Sequence, residues 1–107
     1  MESPHKAIEY IITNSGKYAE AKANRVYIEQ FLKSKRSMLM SEAVGKSVSA
    51  AEVDALAHPE YIKLLEGLKE AIEVEEKLKW MLVAAQAKVE VWRSLEASAR
   101  IMERATQ

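Results

Sequence analysis

Two histidines, a run of glutamates, two tryptophans and a basic row are the side chains whose type and spacing could do chemistry. His5 and His58 are the only imidazoles. They lie in different segments, and His58 with Glu60 supplies two ligands at most, one short of a usual catalytic zinc set. His58 reads instead as a turn residue ahead of Pro59. The chain has no cysteine, which excludes disulfides and thiolate metal sites. Glu73, Glu75 and Glu76 form a carboxylate cluster, but general acid–base work needs a pocket that separates two pKa values. A small helical hairpin offers no obvious cleft. Lys69, Lys77 and Lys79 are helical neighbours of the cluster, so it reads as a solvated helix face. No GxSxG, Walker or GxGxxG pattern occurs, and three dispersed glycines could not build one. The sequence points away from an enzyme and implies no metal or cofactor.

Trp80 and Trp92 could stack on nucleic-acid bases. Trp92 falls at the edge of an apolar stripe, where packing explains it. Trp80 lies off that stripe and reads as the anchor of an interface, where large aromatics are enriched. Lys22, Arg25, Lys33 and Arg36 share one broad helix face. Of these, Lys22, Lys33 and Arg36 are the candidate contacts to a phosphate backbone, but Glu29 sits among them and would repel phosphate. Charge is segregated along the chain. Residues 17–46 carry seven bases against three acids, and residues 52–76 carry eight acids against two bases. The two stretches can neutralise each other within the molecule, which makes nucleic-acid binding the second reading.

The elements that must position these side chains are helices. Ala, Glu, Lys and Leu dominate, and glycine and proline are scarce. The length suits a single domain over residues 1–107. No apolar run approaches the roughly 20 residues that span a bilayer. Nothing resembles a signal peptide, so a soluble cytoplasmic protein is expected. Ser3-Pro4 is a helix start. Ala7, Tyr10, Ile11, Tyr18, Ala21, Ile28, Leu32 and Leu39 then mark one face of a helix over residues 4–44, with a kink or a break at residues 14–16. Gly45 suits the left-handed residue that closes it. Ser49 and Glu52 have capping-box spacing, and Val48 and Val53 flank them as a hydrophobic staple. They predict a short helix over 50–57. Pro59 opens a last helix over 59–105, whose inner stripe is Tyr61, Leu64, Leu65, Leu68, Ala71, Ile72, Leu78, Leu82, Ala85, Val89 and Trp92.

The expected fold is all-α: a long antiparallel helical hairpin with a short connecting helix. If Val44 meets Pro59, Leu39 falls near Leu64 and Leu32 near Ala71 and Ile72. Arg25 then falls near Glu75. Each interrupts an apolar stripe, so an Arg25–Glu75 pair would remove both anomalies and fix the register. A second apolar stripe remains on each long helix. On the first it is Ile8, Ile12, Ala19, Ala23 and Val26. On the last it is Trp80, Ala84, Ala87, Val91, Leu95 and Met102. A helix apolar on two sides is normally buried on two sides. The expectation is a homodimer forming a four-helix bundle, with these residues as one contiguous interface and Trp80 as its anchor.

Three segments carry a resemblance. Lys17-Tyr18-Ala19-Glu20-Ala21-Lys22-Ala23-Asn24-Arg25-Val26-Tyr27, Ala57-His58-Pro59-Glu60-Tyr61 and Trp92-Arg93-Ser94-Leu95-Glu96-Ala97 resemble, in order and spacing, a family of small helical phage or prophage proteins. The similarity spans residues 17–97. That family is often encoded beside single-strand annealing recombinases, which implies an accessory role in phage DNA metabolism. It brings no activity or binding residues with it. The expected function is a non-enzymatic interaction module that docks an unidentified protein partner; the alternative is a nucleic-acid-binding accessory factor in phage recombination or replication.

Overall fold

The computed structural model describes residues 3–106; Met1, Glu2 and Gln107, which the expected domain includes, lie outside the described residues. It is all-α, with α1 at His5–Ser41, α2 at Val48–Ala57 and α3 at Pro59–Thr106. No described helix is long and apolar enough to cross a membrane.

The helix α1 runs unbroken through Asn14-Ser15-Gly16. The reason is local. Asn14 Nδ2 donates to the Tyr10 carbonyl at 2.9 Å, and Ser15 Oγ donates to the Ile11 carbonyl. Both polar side chains bond back into the helix they belong to, so neither caps a new one. At its other end α1 stops at Ser41, three residues short of the expectation. Glu42 and Ala43 donate to carbonyls three residues back, a tightening typical of a closing helix. Gly45, at φ 81°, then takes the left-handed conformation that a side chain would disfavour.

Ser47, not Ser49, caps α2. Its backbone is extended and its hydroxyl accepts from the Ala50 N–H at 3.2 Å. Ser49 lies inside the helix, so it cannot take the extended backbone that a cap needs. Val48 and Val53 are exposed and form no staple. The buried side of α2 is Ala51 and Ala55, one turn apart. His58 then serves two helices. Its N–H closes α2 on the Ala55 carbonyl, and its Nδ1 accepts from the Glu60 N–H at 3.1 Å to cap α3. Pro59 forces the extended ψ of 134° at His58 that makes this break.

The chain's contacts gather into two units. One joins the residues up to Ala19 with those from Glu76 onward; the other is Glu20–Glu75. Within Glu20–Glu75 the two long helices are antiparallel: Arg25 meets Glu75, while Lys35, farther along α1, meets Glu60, earlier on α3. Leu32 and Leu68 line one groove. Leu32 was expected near Ala71 and Ile72, so the register differs by about one helical turn.

Most buried and half-buried positions of α3 follow heptad spacing: Tyr61, Leu64, Leu68, Ala71, Glu75, Leu78, Leu82, Ala85, Val89 and Trp92, with half-buried Gly67 and Ala97 outside the row. Most of those of α1 do likewise, at Ala7, Ile11, Asn14, Tyr18, Ala21, Arg25, Ile28, Leu32, Lys35 and Leu39, with Tyr10, Glu29, Phe31 and Met40 half-buried beside the row. This is the spacing of a coiled-coil seam. Leu65 and Ile72 fit a 3.6-residue period but not this 3.5-residue one, and both are exposed, at 47% and 40%. They were expected inside.

The two serines separate the cap seen here from the one the sequence suggests. Ser47→Ala should cost about 1 kcal/mol in urea unfolding, and Ser49→Ala should be near neutral. The reverse order of effects would place the cap at Ser49.

Candidate interaction surface

The best-built polar arrangement is a charge network inside the Glu20–Glu75 seam. Arg25 Nε donates to Glu75 Oε2 at 2.6 Å and Nη2 donates to Oε1 at 3.0 Å. This fork fixes distance and orientation together. Arg25 Nη1 reaches Glu29, one turn on, at 3.1 Å from each carboxylate oxygen. Glu75 is the one buried charged residue among those described, with 6% of its surface exposed. Hydrogen bonding to Glu75 first, and to Glu29 second, holds the Arg25 guanidinium protonated more firmly than usual. Its heptad position explains the burial: Glu75 takes a seam site where an apolar residue would otherwise pack.

Three further pairs lie around the connector: one joins α1 to α3, one joins α1 to α2, and one lies within the connector itself. Lys35 meets Glu60 at 2.6 Å, Arg36 meets Glu52 at 3.6 Å, and Lys46 meets Asp54. Of the basic row considered for phosphate, Arg36 is therefore paired with an acid of α2, and Arg25 and Glu29 are paired with each other. Lys22 and Lys33 remain as exposed cations with no ion pair among the described residues. That leaves a short, interrupted row. Lys35 holds the Glu60 carboxyl below its ordinary value, chiefly by hydrogen bonding.

No group of three or more metal-binding side chains occurs among the described residues. Nor does any buried side-chain nitrogen or oxygen among them lack a partner. Glu76, from the carboxylate cluster, accepts the Trp80 indole N–H at 3.0 Å.

Every residue expected at the dimer interface is exposed: Ile8, Ile12, Ala19, Ala23 and Val26 on α1, and Trp80, Ala84, Ala87, Val91 and Leu95 on α3. Trp80 is 60% exposed and is held in place by its bond to Glu76 and by Lys79 Nζ, 5.5 Å from the ring centre. Its ring face and edge are thus presented outward on a fixed stem.

The sequence pattern gave no sign of a further apolar face, near the connector. Ile62, Leu65, Leu68 and Ile72 line a shallow depression of about 410 Å³ with Glu66 and Lys69. The connector half was expected to be charged and to hold little apolar surplus. Assigning Leu65 and Ile72 to the inner stripe concealed this face.

No family model, no curated protein and no solved structure matches the chain.

Two outcomes follow from the network. Arg25→Met leaves Glu75 buried without its guanidinium, while Glu75→Gln leaves Arg25 its bond to Glu29. The first should destabilise more in urea unfolding, and Arg25→Met/Glu75→Gln should lose less than the two single changes summed. Zero coupling would show that the pair does not hold the seam. Glu60 has a depressed folded pKa, so its contribution is complete above the unfolded carboxylate range and is lost as pH falls through it. Between about pH 6 and pH 3, Lys35→Met should therefore lose stability less steeply than the wild type. Identical slopes would remove that role for the pair.

Proposed function

We propose that this protein is a non-enzymatic helical interaction module that pairs with a second copy of itself through the outer face of α3. One observation carries the reading. Five of the seven buried hydrophobic residues are alanines, while twenty large hydrophobic residues are exposed. A composition that is 49% hydrophobic is enough for a core, yet among the described residues only Leu32 and Leu39 of the large apolar side chains are buried. Monomeric proteins rarely leave so much apolar surface wet in connected patches.

The α3 set suits a twofold contact. Reading outward from Ala87, large residues stand at the ends and small ones at the centre. In an antiparallel pairing of two α3 helices, Trp80 of one copy falls beside Leu95 of the other, and Ala84 beside Val91. The alanines permit close approach and Trp80 supplies the anchor. The resemblance of residues 17–97 to small phage proteins supports an accessory role in phage DNA metabolism for the proposed module. The pairing of Arg36 with Glu52 and of Glu29 with Arg25 favours protein contact over nucleic acid as its mode of action.

Light scattering at micromolar concentration checks this. The wild type should have at least the mass of a dimer, and Trp80→Glu with Val91→Glu should lower the mass, while helicity is retained. A wild-type monomer would end the proposal; a double variant with the same mass as the wild type would move the contact off this face.

A further inference from the structure

We propose that the α3 face formed by Ile62, Leu65, Leu68 and Ile72 is a second contact between copies of this chain, so that the protein assembles beyond the dimer proposed above. The inference adds to that reading and uses none of its residues. The face is apolar over its whole depth except for Glu66 and Lys69. These are one acid and one base, and neither makes an ion pair among the described residues. That charge pattern argues against nucleic acid, which needs a surplus of cations.

The arrangement is self-complementary. Two such faces packed antiparallel about a twofold axis set Ile62 of one copy against Ile72 of the other, at both ends of the contact. Leu65 and Leu68 meet near its middle. Glu66 of each copy then falls within about one residue's rise, roughly 1.5 Å along the axis, of the other copy's Lys69. Both charges gain an opposite partner twice over, by symmetry. A second copy therefore satisfies the apolar and the charged parts of the face together. A chain with two different twofold contacts forms closed tetramers or open rows.

Charge exchange tests this apart from the first contact. The background is the chain carrying Trp80→Glu and Val91→Glu. In it, sedimentation should still show a reversible dimer. Glu66→Lys alone, or Lys69→Glu alone, should weaken that dimer by about tenfold or more, because like charges then meet twice. The exchange of both in one chain should restore the affinity to within about threefold, and mixing the two single variants should give a mixed dimer. Should the background substitutions unfold the chain by circular dichroism, the same exchange in the otherwise wild-type chain is read as loss and return of species larger than a dimer. Association that ignores both charge changes overturns the second contact, as does a background chain that folds and stays monomeric. In the latter case the dimer through Trp80 would stand.

Discussion

The contact between α1 and α3 closes around one row of side chains from each helix, and in the Glu20–Glu75 unit that row contains a charge on both sides. Arg25 and Glu75 occupy heptad positions that an apolar pair would fill with less desolvation cost. The bidentate geometry meets that cost, and Glu29 occupies the remaining face of the guanidinium. Because a guanidinium fork accepts a carboxylate in few orientations, sliding either helix by one heptad would set Arg25 against Leu68 or Leu82 and Glu75 against Tyr18 or Leu32. The seam's register thus depends on a polar contact, and its closeness depends on the alanines beside it, Ala21 and Ala71.

A seam one row deep covers little. The side chains next to it on each helix stay wet, and here many of them are large and apolar. Ile62, Leu65 and Ile72 near the connector, and Trp80, Val91 and Leu95 farther along α3, have no cover within the chain. The same heptad spacing that closes the seam leaves these positions outside it. The proposed assembly would cover them. Lys35 and Arg36 of α1 and Lys46 of the connector are engaged by α2 and by the start of α3.

Much of this was legible in the sequence, where the signal was periodic or where a residue was out of place. The three helices follow from composition and from Pro59. Arg25 and Glu75 stood out because each interrupts an apolar stripe. What the sequence obscured was set by competition between neighbours. Ser47 and Ser49 offer alternative caps, and only the course of the backbone through Gly45 and Lys46 decides between them. Asn14 and Ser15 have the composition of a break, yet their side chains bond back to Tyr10 and Ile11 and the helix continues. Leu65 and Ile72 fit a straight helix's stripe; a 3.5-residue seam excludes them. The small difference between those periods separates an inner stripe from an outer face.

The central claim is that the folded state of this chain is held partly by other copies of itself. Thermal unfolding over a wide range of protein concentration tests it most directly, because association that stabilises only the folded chain makes the midpoint depend on concentration. The account predicts a midpoint that rises steadily with concentration. A midpoint that stays the same across the whole range, with a calorimetric enthalpy equal to the van't Hoff value for a monomer, would contradict it.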